Sequence, residues 1–224
     1  MIDSCSELVV CRKGCRICIE RDPGKIHNGA DFDFDPPVVS HWSQWLGHKR
    51  PKVLIVGQDF GDIGYFRRYL GSDDPKNPTN QNLRELLNYA GIAAGDPPAA
   101  DELTPVFLTN SILCLKEGTM ATPIKPRWVK ACAGSHLLPL AQFLRAPIVV
   151  SMGATAWRAV RLVFGLSGVP VKITLAAGSS WSAQDGTRLF PVCHCSGLGI
   201  RNRSWPNQIS DWQQIGEAVH SLEP

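Results

Sequence analysis

The sequence lacks any apolar run of the roughly 18 residues that a membrane-spanning helix needs, so we expect no membrane association. The amino terminus has no long apolar core after a basic start, which is not the pattern of a secretory signal. We therefore expect a cytoplasmic protein. Internal repeats, low-complexity tracts and obvious linkers are also lacking, and this predicts a single domain over residues 1–224.

Charge is sparse and nearly balanced. Only 19% of the residues are charged and the net charge is +3, which is compatible with nucleic-acid binding but does not by itself indicate it. Because 44% of the 224 residues are hydrophobic, the chain can bury a substantial core and is neither disordered nor fibrous.

Cysteine, in contrast, is abundant. In a cytoplasmic chain disulfides are disfavoured, so this content points to metal ligation or to thiol chemistry. Four cysteines fall within the first 18 residues, two lie mid-chain, and two flank a histidine; the full set is Cys5, Cys11, Cys15, Cys18, Cys114, Cys132, Cys193 and Cys195.

Apolar runs alternate with helical periodicity along most of the chain. The runs predict strands at Val53–Val56, Pro105–Leu108, Pro147–Ser151, Pro170–Leu175 and Arg188–Val192. Helical spacing predicts helices at Ile63–Leu70, Asn82–Ala90, Pro126–Leu144, Ala154–Phe164 and Gln208–Leu222. Residues 1–38 are polar and predicted to be irregular. This alternation predicts a three-layer α/β/α fold with a central, mainly parallel sheet of four to five strands.

Three polar residues follow predicted strands. Asp59 comes after the first strand, Asn110 after the second and His194 after the last. Singly, each has a simple structural explanation: a helix cap, an Asx-turn and a loop histidine. Because the carboxyl ends of parallel strands share one edge of a sheet, together they predict a ligand site.

The motifs around these residues resemble those of the uracil-DNA glycosylase superfamily. They are Gly57-Gln58-Asp59, Leu108-Thr109-Asn110, Ser151-Met152-Gly153-Ala154 and His194-Cys195-Ser196. Gly57-Gln58-Asp59 matches the start of the Gly-Gln-Asp-Pro-Tyr-His motif of some members, and His194 and Ser196 match the outer residues of a His-Pro-Ser motif. The chain departs from these motifs at Phe60-Gly61, in place of Pro-Tyr, and at Cys195, in place of proline.

The resemblance implies an enzyme of base excision repair that hydrolyses the N-glycosidic bond of uracil or another deaminated base in DNA. It implies that Asp59 positions a water and favours a cationic sugar, while His194 hydrogen-bonds the departing base. Asn110 would read the base edge, and Gln58 and Phe60 would line the pocket, although Phe60 is equally suited to the core.

Flipping the base out of the duplex is implied as well, since a base cannot be reached inside the stack. The loop Ser196–Arg203 suits this step: Leu198 or Ile200 would wedge into the stack. Arg201 and Arg203 would contact phosphates, and an ordinary solvated loop is the alternative. The implied partner is therefore DNA with a damaged or deaminated base, bound by a monomer.

The placement of four cysteines resembles the iron–sulfur members of the superfamily. That resemblance implies a 4Fe–4S cluster that anchors residues 1–38, held by Cys15, Cys18, Cys114 and Cys132. The same four ligands could instead build a zinc site.

Two readings from other classes stay open. Cys11, Cys15 and Cys18 have the spacing of a radical S-adenosylmethionine cluster, although the required run of βα units is not found. In that case Cys11 would be essential, whereas Cys114 and Cys132 would be dispensable. A non-catalytic module that binds nucleotide or DNA, with a structural metal site, is the second reading.

Overall fold

The computed structural model describes residues 5–35, 50–70, 74, 76–93 and 105–222. Its helices are α1 (Cys5–Gly14), α2 (Ile17–Arg21), α3 (Ile63–Tyr69), α4 (Pro78–Tyr89), α5 (Pro126–Cys132), α6 (Leu138–Leu144), α7 (Ala154–Val163), α8 (Ile173–Ala176), α9 (Gly197–Asn202) and α10 (Trp205–His220). Its strands are β1 (Ile26–His27), β2 (Val53–Gly57), β3 (Val106–Asn110), β4 (Leu115–Lys116), β5 (Ile148–Met152), β6 (Trp181–Ser182) and β7 (Arg188–Val192).

A five-stranded sheet of order β3-β2-β5-β7-β6 forms the centre. Its first four strands are parallel, and β6 pairs antiparallel with β7 at one edge. The predicted mainly parallel sheet of four to five strands is confirmed. All five residues of β2 are buried, as expected for a central strand covered on both faces.

The alternation of β2 side chains divides the core into two layers. Leu54 and Val56 face a cluster that contains residues of α5, α6 and α7, among them Trp157. Val53 and Ile55 face the other cluster, which contains residues of α4 and α10, among them Trp212. Successive side chains of a strand point to opposite faces, so one apolar run serves both layers of an α/β/α fold.

Two predicted elements differ in the structure. The predicted strand Pro170–Leu175 is wrong: α8 occupies part of it, and β6 takes the place beside β7 at the sheet edge. The predicted helix Pro126–Leu144 contains a π-helical turn at Ala133–Leu137. Pro139 lies in the first turn of α6 and has no N–H to donate, which explains the interruption.

The amino-terminal segment is more ordered than predicted. Residues 1–4 and 36–38 of the predicted segment 1–38 lie outside the described residues, but the remainder forms α1, α2, β1 and a 3-10 turn at Gly29–Asp31. Its attachment is partly apolar, because Leu8 and Ile26 belong to the core cluster, and partly polar. Buried Asp22 accepts hydrogen bonds from the side chains of Lys125, Arg127 and Trp128, and β1 pairs antiparallel with β4. These donors lower the pKa of the Asp22 carboxyl well below its usual range.

Candidate active site

The chain leaves β2 in a turn whose carbonyls are bound by the end of β3. The Ser111 hydroxyl donates to the carbonyl oxygens of Gly57 and Gln58 over 3.0 and 2.9 Å, and the Ser111 backbone N–H donates to Gly57 over 2.9 Å. Ser111 is fully buried, so water does not compete for these bonds. The turn that carries Asp59 is therefore held against the neighbouring strand.

Gly57 allows the Asn110 amide to come close to β2. The two residues are direct partners in the parallel register of β2 and β3. A Cβ atom at position 57 would lie only 2.5 Å from Asn110 Oδ1, which is closer than atoms can pack. The glycine is thus required by the position of the neighbouring side chain.

Asp59 is held through both carboxylate oxygens. Oδ1 accepts a hydrogen bond of 2.9 Å from the Gly61 backbone N–H, and Oδ2 accepts one of 2.9 Å from Lys116 Nζ. The Asp59 side chain is 7% exposed and that of Lys116 is 1% exposed, so this ion pair is buried. Sequence reasoning missed Lys116, because a single lysine after Cys114 carries no recognisable pattern.

Gln58 connects the turn to the next strand–helix junction. Its Oε1 accepts a hydrogen bond from the Thr155 hydroxyl over 3.0 Å, at the start of α7. Its Nε2 lies 3.4 Å from Asp59 Oδ2. Gln58 therefore supports the carboxylate as well as lining the pocket.

His194 presents a neutral hydrogen-bond donor. Its Nδ1 accepts from the Ser196 backbone N–H over 3.1 Å, so the proton of the neutral imidazole is on Nε2. Burial lowers the pKa of His194, and the Asp59 carboxylate opposes that shift. The imidazole is accordingly uncharged at neutral pH.

Two glycines fit closely around His194. A Cβ atom on Gly153, which has a φ of 92°, would lie 3.3 Å from the Cβ of His194. A Cβ atom on Gly199 would lie 1.6 Å from the His194 carbonyl oxygen. Helix α9 can pack against the histidine backbone only because position 199 has no side chain.

The structure brings the predicted base-site residues into one pocket of about 300 Å³. Asp59, Asn110 and His194 line it together with Gln58, Phe60 and Ser196, all at the carboxyl edge of the sheet. Phe60 has both of the roles considered for it, because it lines the pocket and also packs edge-on against Phe66 with ring centroids 5.4 Å apart. Residues that sequence reasoning did not assign to the site also line it, among them Tyr65, Asn77, Thr79, Asn80 and Met120.

The residues predicted to contact DNA divide into two groups. Leu198 is 69% exposed and Arg201 is exposed, both on α9 beside the pocket residue Ser196. The guanidinium of Arg203, which is also predicted to contact a phosphate, forms a two-bond ion pair of 2.5 Å with buried Asp211 of α10. That pair attaches the end of α9 to the last helix, which favours a structural role for Arg203 over a phosphate contact.

The four predicted metal ligands are neighbours in space. The pKa of the Cys114 thiol is raised to about 12, mainly by burial and further by Cys18 and Cys15. The pKa of Cys132 is also raised, by burial and by the other three thiols. Thiol side chains are the donors that zinc and iron–sulfur clusters require, so the residue types suit a metal. Within the described residues, however, no three His, Cys, Asp or Glu side chains stand in metal-binding geometry.

Cys11 differs from these four. It lies on α1 with an exposed side chain, whereas Cys18, Cys114 and Cys132 are buried. Cys193 and Cys195 are also buried, and burial raises the pKa of Cys195 to about 12, so that thiol is protonated and unreactive.

The pocket combines a fixed carboxylate, a neutral imidazole donor and an amide. A carboxylate stabilises a developing cation, an N–H donor stabilises a developing anion, and an amide both donates to and accepts from a polar ring edge. The site can therefore assist the heterolysis of a bond between a cationic fragment and an anionic heterocycle.

The chain matches a known protein family over most of its length. Residues 45–214 match the family model of the uracil DNA glycosylase superfamily, which is more than half of the chain. A comparison with curated proteins gives no match.

In the parts of the chain that the structure describes, no helix is long and apolar enough to cross a membrane.

Proposed function

Since the chain belongs to the uracil DNA glycosylase superfamily, we propose that it hydrolyses the N-glycosidic bond of uracil or another deaminated base in DNA, as a step of base excision repair. The observation that carries this proposal is the placement of Asp59, Asn110 and His194 around one pocket. These residues come from the ends of three different strands, and their chemistry matches the two charges that this reaction develops.

Asp59 acts on the sugar side of the reaction. As the bond from C1′ to the base breaks, the sugar gains positive charge, which the carboxylate stabilises. Water adds to C1′, the bonding electron pair leaves on the base, and Asp59 orients that water or accepts its proton. The hydrogen bonds from Gly61 and Lys116 keep the carboxylate in place during these steps.

His194 and Asn110 act on the base side. The Nε2–H of neutral His194 donates to a carbonyl oxygen of the base as negative charge develops there. Asn110 hydrogen-bonds the polar edge of the base, and Phe60 forms a wall of the pocket. The departing base finally takes up a proton, so that one water molecule has been added across the glycosidic bond.

The α9 helix is suited to hold the DNA open. Leu198 is the exposed apolar side chain that would fill the space left by a flipped base, and Arg201 would pair with a nearby phosphate. Ser196 would contact the DNA at the pocket mouth. The Arg203–Asp211 ion pair supports α9 from the other side.

We further propose that Cys15, Cys18, Cys114 and Cys132 hold a 4Fe–4S cluster, with zinc as the alternative. The support is the donor chemistry of the four side chains, which matches either metal, and the contribution of Cys15 and Cys18 to the raised pKa values of Cys114 and Cys132. Such a group would attach the amino-terminal segment to the end of α5 and have a structural role. Residues 1–224 would then act as one domain and as a monomer.

The test is base release from single-stranded and double-stranded oligonucleotides that carry one uracil, hypoxanthine or xanthine. Anaerobically purified protein is compared with Asp59→Ala and His194→Ala. We expect the wild type to release at least one of these bases and both variants to be strongly impaired. Iron, sulfide and zinc analysis of the same samples identifies the metal.

A non-catalytic DNA-binding module is the second candidate, because a basic arginine and an exposed leucine on α9 would also serve binding alone. It predicts that no base is released and that Asp59→Ala binds DNA as the wild type does.

Cysteine variants test the radical-enzyme reading: we expect Cys18→Ala and Cys132→Ala to lose metal, whereas Cys11→Ala, the matched control, retains it.

A further inference from the structure

Lys116 is the buried cation behind the carboxylate of the site. Its Nζ donates to Asp59 Oδ2 over 2.9 Å and to the Met120 carbonyl oxygen over 2.7 Å. Its side chain is 1% exposed, whereas Asp59 lines the pocket. Lys116 is therefore placed to act on Asp59 from the side opposite the substrate.

The backbone of Lys116 is held from two sides. It pairs with Ile26 in the antiparallel β1–β4 ribbon and forms a parallel bridge with Asp62, the residue that caps α3. The ribbon is closed by a hydrogen bond of 3.0 Å between His27 and Glu117 and by one from the Glu117 backbone N–H to the Lys25 carbonyl oxygen. The position of the ammonium group is thus set by the amino-terminal segment.

We infer that Lys116 is a positioning residue for Asp59 and that it transmits the order of the amino-terminal segment to the reaction centre. This inference rests on the proposed function. With Gly61 binding Oδ1, and with Lys116 and Gln58 binding Oδ2, the carboxylate plane has one orientation, and the second lone pair of Oδ1 is available to the pocket. Without Lys116, Oδ2 loses its shorter hydrogen bond, and the contact of 3.4 Å from Gln58 Nε2 is too weak to fix that orientation.

The proposed metal-binding segment is connected to the Lys116–Asp59 ion pair through the chain and the β1–β4 ribbon. Cys114, one of the proposed metal ligands, stands two residues before Lys116 on the chain, and β1 follows α2, which contains Cys18. Order in the cysteine-bearing segment therefore reaches Asp59 through β1, β4 and a single hydrogen bond. The amino-terminal segment would influence base release although none of its described residues lines the pocket.

The test compares single-turnover base release and DNA affinity in Lys116→Met, Lys116→Arg and the matched control Lys25→Met. Lys25 stands directly before β1 with an exposed side chain, so Lys25→Met makes the same chemical change away from Asp59. We expect Lys116→Met to slow base release by about 10- to 100-fold with unchanged DNA affinity, because misplacement by about 1 Å has effects of that size. Lys116→Arg should recover part of the rate, and Lys25→Met should match the wild type.

A double-mutant cycle separates positioning from a general structural effect. In an Asp59→Asn background, Lys116→Met should lower the residual rate by less than about threefold, because the group that Lys116 positions is no longer a carboxylate. If Lys116→Met does not fold alone, two other comparisons test the role of Lys116. The double variant Asp59→Asn/Lys116→Met, which buries no unpaired charge, is compared with Asp59→Asn, and Lys116→Arg is compared with the wild type.

Each alternative result overturns a defined part of the inference. A Lys116→Met rate within twofold of the wild type refutes the positioning role, as does an equal loss in both backgrounds or a parallel loss of DNA affinity. If the wild type releases no base, the proposed function fails and this inference fails with it. Release by the wild type that is insensitive to Lys116 refutes this inference alone.

Discussion

Substitution of Gly57 by alanine tests the geometry of the pocket without removing any functional group. The added Cβ atom would lie 2.5 Å from Asn110 Oδ1, whereas such atoms normally approach to about 3.5 Å. The amide must therefore retreat by about 1 Å. Gly57 does not have a positive φ, so alanine can adopt its backbone conformation, and the protein should remain folded.

The expected loss follows from this displacement. A misplacement of about 1 Å can slow an enzymatic reaction by roughly 100-fold, which corresponds to about 2.7 kcal/mol of transition-state stabilisation. The assay is single-turnover base release, with thermal unfolding measured in parallel. Gly134→Ala is the matched control, because a Cβ atom there meets nothing within 4 Å and its φ is not positive.

The Asn110→Ala background shows whether the amide transmits the effect. Removing the amide makes room for the new methyl group, so Gly57→Ala should have little further effect there. A wild-type rate for folded Gly57→Ala would refute the reasoning. The same would follow from an equal loss of rate in the presence and absence of the Asn110 amide.

Three further predictions concern buried histidines and the α9 helix. Burial lowers the pKa of His136 to about 4, so its contribution to the free energy of unfolding, about 3 kcal/mol in total, is complete above its usual pKa of about 6.5 and is lost as the pH falls towards 4. Lowering the pH from 7 to 5 should therefore reduce the free energy of unfolding of His136→Gln, measured by chemical denaturation, by less than that of the wild type. Equal losses would contradict the assignment. Because the pKa of His194 is lowered, base release should be constant from pH 8 down to about 6.5 and decline only below; a decline centred above 6.5 in the pH–rate profile would be inconsistent with a neutral donor. Leu198→Ala should slow release from double-stranded DNA more than from single-stranded DNA, since only the duplex has to be opened, and equal effects on both would exclude a wedge.

The apolar runs were sufficient to predict the central sheet. A strand buried on both faces must be apolar throughout, so Val53–Val56 was recognisable without any knowledge of its neighbours. Pro170–Leu175 shows the limit of such patterns. Its apolar residues suit a strand, but a strand forms only where a sheet edge is available, and β6 is paired with β7 at that edge.

The local motifs were likewise sufficient to predict that Asp59, Asn110 and His194 belong to one site. Each stands at the carboxyl end of a strand or just beyond it, and parallel strands in one sheet end at one edge. The polar partners of these residues were not predictable. Lys116 lies 57 positions from Asp59 along the chain, and Arg203 reaches Asp211 rather than solvent.

The sequence by itself determined the layers of the fold, the edge of the sheet where the pocket lies and the residue types that line it. All of these depend on local periodicity and on strand ends. Only the tertiary structure decided which hydrogen bonds hold those residues, such as the Lys116–Asp59 ion pair and the Ser196–His194 bond that sets the tautomer. A buried charge is stabilised only by a partner in contact with it, and the folding of distant segments determines that partner.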